Sequence, residues 1–92
     1  MKTKYRVSIC KRKIKVEAEA NDPIEAATLA LEKLIKTGDD WAIGDIVSAE
    51  DLSTKEVYYM ASSMILANNG LYDKAREISH YSELAMQQLR SI

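Results

Sequence analysis

The stretch IKVEAEANDPIEAATLALEKLIKTG, residues Ile14–Gly38, predicts a β-strand that leads directly into a capped amphipathic helix. Over residues 14–20, apolar or small residues alternate with charged ones. This period of two is typical of a strand with one buried face. The rest of the chain is interpreted as material that packs around this strand and helix.

The predicted helix has residues typical of a helix start at one end and of a helix stop at the other. Asp22 is predicted to be the N-cap, Pro23 has the φ that a first helical residue needs, and Glu25 completes a capping box. Gly38 can adopt the left-handed conformation that ends a helix. We therefore predict a helix over residues 22–37. Its apolar stripe, at helical spacing, consists of Ile24, Ala27, Thr28, Leu31, Leu34 and Ile35.

The N-terminal segment predicts an antiparallel hairpin with the first strand paired to residues 14–20. Apolar residues occupy odd positions before Cys10 and even positions after Lys13, so a turn at Lys11-Arg12 explains the change of phase. The predicted cross-strand pairs are Ile9 with Ile14, Val7 with Val16, Tyr5 with Ala18, Arg6 with Glu17 and Lys4 with Glu19. A bulge within one long strand is the alternative, because two-residue turns favour Asn-Gly or Gly.

The predicted core joins the sheet to the helix stripe. Its members are Val7, Ile9, Val16 and Ala18 from the sheet and Ile24, Leu31, Leu34 and Ile35 from the helix.

Residues 43–61 have two interpretations. In the first, residues 43–49 pair with residues 57–61 as a second hairpin across a polar loop. In the second, Ser53 and Glu56 form the capping box of a helix. We favour the hairpin, because the run of one Val and two Tyr at residues 57–59 has high strand propensity and forms helices poorly.

The C-terminal third is predicted to be helical, with a break at Asn68-Asn69-Gly70 and a last helix over residues 71–90. Its seam of apolar or small residues consists of Leu71, Ala75, Ile78, Ser82, Ala85, Leu89 and Ile92. Tyr81 and Leu84 lie in a second stripe beside this seam. We expect the helix to pack on the protein's own sheet, or to meet a second copy in a homodimer.

Together these elements predict one α+β domain over residues 1–92, with a small antiparallel sheet packed on the helix at 22–37. The 92 residues include 47% hydrophobic and 29% charged residues, which suits a single core. The N-terminus lacks the apolar run of a signal peptide, and no apolar run is long enough to span a bilayer. Cys10 is the only cysteine. We therefore expect a cytoplasmic protein with no membrane partner.

The net charge of −1 hides an uneven distribution. Residues 1–16 hold seven basic side chains and no acidic one, whereas residues 17–56 hold eleven acidic side chains and three basic ones. Such a layout can mark a binding face for a charged partner. The favoured interpretation is that the two segments neutralise each other within the fold.

The strand and helix at the centre of the sequence have the form V-x-A-x-A-x-D followed by an Ala-rich helix. The residues are Val16, Ala18, Ala20, Asp22, Ala26 and Ala27. This pattern resembles that of many small α+β proteins of bacteria, phages and plasmids, and it covers about a quarter of the chain. Some such proteins bind a host protein, so the resemblance implies an inhibitor or adaptor. It implies no catalytic residue.

The sequence predicts neither an enzyme nor a cofactor. His80 is the only histidine, and the acidic residues near Asp39 lack the spacing of a calcium loop. We expect a protein-binding module, and nucleic-acid binding through a basic hairpin tip is the alternative. The candidate partner-binding residues are Lys11, Arg12, Lys13, Asp39, Asp40, Trp41, Tyr81 and Leu84.

Overall fold

A computed structural model describes residues 2–39, 41–71 and 73 of the chain. The described residues form β1 (Thr3–Ile9), β2 (Ile14–Ala20), α1 (Pro23–Thr37), β3 (Ile46–Asp51), β4 (Val57–Ala61) and α2 (Ser62–Asn68). The four strands make one antiparallel sheet in the order β2-β1-β3-β4. The predicted α+β class is confirmed. The predicted last helix lies outside the described residues, apart from Leu71 and Asp73.

The N-terminal hairpin has the predicted register, from Thr3 opposite Ala20 to Ile9 opposite Ile14. A four-residue loop, residues 10–13, connects the strands, and the Arg12 N–H donates to the Ile9 carbonyl at 3.1 Å. Lys11 alone in this loop has a positive φ, of 68°. The bulge alternative is therefore wrong. Lys-Arg is accommodated because a longer loop does not need two left-handed residues in succession.

Asp22 and Gly38 cap the two ends of α1 as the sequence predicts, whereas the Glu25 carboxylate, the predicted second half of the capping box, accepts from the Asn21 side-chain amide at 3.2 Å. Asp22 accepts a hydrogen bond from the Glu25 N–H through Oδ1 at 2.7 Å. At the other end, Gly38 has a φ of 71° and donates its N–H to the Leu34 carbonyl at 3.0 Å. These two caps fix the length of the helix that covers the sheet.

The second hairpin forms, and the alternative helix beginning at Ser53 is wrong. β3 and β4 pair from Ile46 opposite Ala61 to Glu50 opposite Val57. Asp51 stabilises the intervening turn, because its Oδ1 accepts from the Ser53 N–H at 2.9 Å and from the Ser53 hydroxyl at 2.6 Å. Ser53 is therefore a turn residue rather than a helix cap.

The core lies between α1 and the central strands. Of the predicted core residues, Val7, Ile9, Leu31 and Leu34 are buried, and Val16, Ala18 and Ile35 are partly buried. Ile24 was predicted to be in the core and is instead 51% exposed. The reason is its position in the first turn of α1, where it borders a groove beside β4.

α2 follows β4 without a connecting loop and packs beside α1. Asn69, just after α2, donates its side-chain amide to the Thr28 hydroxyl of α1 at 3.1 Å. Ile65 and Leu66 of α2 join the same buried cluster as α1. Both helices therefore lie on one face of the sheet.

Candidate protein-binding edge

The two edge strands of the sheet differ in charge. β2 carries Lys15, Glu17 and Glu19 along its length, whereas β4, with the sequence VYYMA, carries no charged residue. Charged side chains on an edge strand oppose pairing with other chains, and an uncharged exposed edge favours it. Among the described residues β4 pairs with β3 alone. Its outer edge is the strongest candidate for a binding surface.

The backbone of β4 presents a defined set of groups at this edge. The Asp51 N–H donates a hydrogen bond to the Glu56 carbonyl at 2.8 Å, and the Ser62 N–H donates one to the Asp45 carbonyl at 3.0 Å. In an antiparallel ladder the bonded residues alternate along the strand, so even-numbered residues of β4 face β3. The N–H and C=O groups of Val57, Tyr59 and Ala61 therefore point away from β3.

The side chains of β4 are unusually exposed for their size. Tyr59 is 70% exposed, and Val57 and Tyr58 are each about 40% exposed. Val57 and Tyr59 lie on the sheet face opposite the helices. Ile46 lies on the same face, across from Ala61, and is 44% exposed. Several exposed apolar side chains side by side are typical of an interaction site rather than of a solvated surface.

A shallow apolar groove of about 630 Å³ runs between the start of α1 and β4. The lining residues are Pro23, Ile24, Val57, Tyr58, Tyr59 and Met60. Asp22 caps α1 beside this groove and so fixes the position of its helical wall. A side chain from a bound segment could pack in this groove.

Tyr58 gives the groove a polar group. Its hydroxyl donates to Glu56 Oε2 at 2.5 Å. That hydrogen bond, followed by desolvation, raises the pKa of Tyr58 above its ordinary value. The phenol therefore stays neutral and keeps its hydrogen bond to the Glu56 carboxylate.

The ion-paired side chains of the sheet lie on β1, β2 and β3, and β4 carries no charged residue. Lys4 lies 3.5 Å from Glu17, and Arg6 lies 3.8 Å from Glu17 and 3.9 Å from Glu50. These ion pairs support the interpretation that the basic N-terminal segment and the acidic segment after it neutralise each other. Because the side chains are about half exposed, each pair contributes little to stability.

The predicted basic tip exists as a cluster on the loop between β1 and β2. Lys11, Arg12 and Lys13 are all exposed. Arg12 Nε lies 3.5 Å from Asp45 Oδ2, which draws one of the three cations toward the loop before β3. Lys11 and Lys13 make no ion pair within the part of the chain that the structure describes.

Of the remaining candidate residues, the structure describes Asp39 and Trp41, and only Asp39 is on the surface. Asp39 is exposed and accepts a hydrogen bond from the Thr37 hydroxyl. Trp41 is fully buried in the core, so its side chain does not offer a partner contact, and its Nε1 has no hydrogen-bond partner within the described residues. Asp40, Tyr81 and Leu84 lie outside the described residues.

Sequence reasoning did not select the β4 edge. The available indication was the uncharged run at residues 57–61, but its meaning depends on strand order, which places β4 at the outside of the sheet. In the described part of the chain, acidic, histidine and cysteine side chains form no group of three that could hold a metal ion. Within the same residues, no helix has the length and apolar character needed to cross a bilayer.

Comparisons of this chain with protein-family models, with curated proteins and with solved structures find no match.

Proposed function

We propose that this protein is a binding module that recognises an extended apolar segment of a second protein chain by adding it to the sheet as a strand beside β4. The observation that carries the proposal is the edge itself. All five residues of β4 are uncharged, three of them have backbone groups that point outward, and its two tyrosine side chains are exposed. Strand addition at a free sheet edge is a recurring mode of peptide recognition.

The backbone would supply the sequence-independent part of the binding. An added strand can exchange hydrogen bonds with Val57, Tyr59 and Ala61, whose N–H and C=O groups point away from β3. These bonds need only an extended backbone in the partner, so they contribute affinity, and the side chains must set the register.

The side chains would supply the specificity. Successive residues of an added strand point to opposite faces of the sheet. Those on the helix side would enter the groove beside Ile24 and Tyr58, and those on the other side would lie beside Tyr59. We therefore expect an apolar partner segment with large side chains on the groove side. An inhibitor or adaptor role, as the sequence resemblance implies, is compatible with such a mode.

The proposal is tested by selecting peptides from a random library with the wild-type chain and measuring their affinities for two variants. Tyr59→Pro removes an outward N–H that β3 does not use, which an edge strand tolerates. Tyr59→Ala is the matched control, because it removes the side chain but keeps that N–H.

We expect the selected peptides to be apolar and to lose more affinity for Tyr59→Pro than for Tyr59→Ala. Peptides that bind both variants as they bind the wild type would place the site elsewhere. Circular dichroism spectra that match the wild type would show that both variants remain folded.

Nucleic-acid binding is the second candidate, and the cluster of Lys11, Arg12 and Lys13 is the observation that favours it. The neighbouring Lys4 and Arg6 add little, since both already pair with Glu17. Replacing the three loop residues by Glu should abolish any binding to DNA or RNA, and wild-type affinity should fall steeply as salt rises. A wild type that binds neither at low salt would eliminate this candidate.

A further inference from the structure

We infer that the segment added at β4 is the β4 strand of a second copy of this chain, antiparallel to the first about a two-fold axis that passes beside Tyr59. This inference rests on the proposed function, because it names the occupant of the same edge. It joins the two four-stranded sheets into one continuous sheet.

The backbone of β4 fits a register centred on Tyr59. In that register Tyr59 faces Tyr59 of the second copy, and Val57 faces Ala61 of the second copy. The residues whose N–H and C=O groups point outward are these three and no others in the strand. Each would therefore meet an outward-pointing residue, so the ladder of hydrogen bonds closes without leaving one of them unmatched.

The side chains fit the same register. Across the axis, Tyr58 meets Met60 of the second copy on the helix side, and sulfur and aromatic rings make favourable contacts. Val57 meets the small Ala61 of the second copy on the opposite side, where the two Tyr59 rings also lie. No charged residue opposes another within the strand, since β4 has none.

The other edge of the sheet explains why such an assembly would stop at two copies. A two-fold contact uses the same surface on both partners, so within the described part of the chain pairing through β4 leaves the β2 edges at the ends of the joined sheet. β2 carries Lys15, Glu17 and Glu19, which oppose further pairing. The geometry therefore closes as a dimer and does not propagate as a fibre.

A charge-swap experiment tests the axis. Tyr59 is 70% exposed, so Tyr59→Lys and Tyr59→Glu should each fold, which circular dichroism can verify. In sedimentation velocity, each variant alone should dimerise about tenfold or more weakly than the wild type, because the axis places like charges opposite each other. An equal mixture of the two variants should recover the dimer, since Lys then faces Glu. Tyr59→Phe should dimerise like the wild type.

The outcomes separate this inference from the proposed function. A monomeric wild type that still binds selected peptides at β4 would overturn the inference and leave the function standing. A monomeric wild type that binds no peptide would overturn both. A dimer that survives in both charged variants would place the contact elsewhere, and two monomeric variants whose mixture stays monomeric would exclude the axis at Tyr59.

Discussion

The buried hydroxyl of Ser62 accepts a hydrogen bond from the backbone N–H of Gly44 at 2.9 Å. The Ser62 N–H also donates to the Asp45 carbonyl at 3.0 Å. Ser62 thus ties the first residue of α2 to the loop before β3, at the point where β4 ends. The length of the exposed edge depends on this attachment, because the chain leaves the sheet there.

Ser62→Ala should lower the free energy of unfolding by about 1–3 kcal/mol, because it leaves the Gly44 N–H without its acceptor in a partly buried setting. Ser63→Ala is the matched control, as Ser63 is only partly buried and its hydroxyl makes no hydrogen bond within the described residues. Urea denaturation measures both. Equal losses in the two variants would show that the Ser62 hydroxyl has no special role.

Leu31→Ala should cost about 2–5 kcal/mol of stability, because Leu31 is fully buried between α1 and the sheet. Leu29→Ala makes the same chemical change in the same helix at a residue that is 39% exposed. Because both variants change helix propensity equally, the difference between them isolates burial. A Leu31→Ala loss below about 1 kcal/mol in urea denaturation would remove Leu31 from the core.

Asp22→Ala should destabilise the protein by about 0.5–2 kcal/mol, because the Glu25 N–H loses the carboxylate that caps α1. Asp22→Asn keeps an acceptor oxygen and should therefore lose less stability than Asp22→Ala. The expected order in thermal or urea unfolding is wild type, then Asn, then Ala. An Ala variant as stable as the wild type would mean that the cap adds nothing measurable.

Stability should depend on the ionisation of Asp51. Hydrogen bonds from the Ser53 hydroxyl, and then from the Ser53 N–H, lower the pKa of Asp51 below its ordinary value. A carboxyl whose pKa is lower in the folded state stabilises the fold above the unfolded pKa, and that stabilisation disappears as the pH falls through the folded pKa.

Asp51→Asn imitates the protonated carboxyl and provides the comparison for this effect. The wild type should be the more stable of the two at neutral pH, and the difference should shrink in the acid range. Unfolding free energies measured across pH would show it. A difference that stays constant with pH would assign the effect of Asp51 to something other than its charge.

The local parts of the fold could be predicted because local residues determine them. The caps of α1 follow from Asp22 and Gly38, which lie next to the groups that they stabilise. The register of the first hairpin followed from the alternation of apolar and charged residues on both strands, even though the exact loop did not. These patterns are specific because a shift of one residue would reverse every side chain.

The predictions that failed or stayed open concern features that depend on contacts between distant residues. Ser53 and Glu56 fit either a helix cap or a turn, and the pairing of Glu50 with Val57 decides between them. Trp41 looked like a surface residue beside acidic neighbours, but packing against the core buries it completely. The candidate edge needs the most distant information, since β4 is an edge only because β1 lies between β2 and β3.

The burial of Trp41 makes its fluorescence a built-in report of folding. It is the only tryptophan of the chain, and its indole is shielded from solvent. Unfolding would move that ring into water and shift its fluorescence emission to longer wavelength. Added iodide would then quench the emission, because it can reach the exposed ring. Trp41 does not line the groove at β4, so association there should leave the emission unchanged. The same optical measurement would therefore distinguish Tyr59 variants that have unfolded from variants that have only lost their partner.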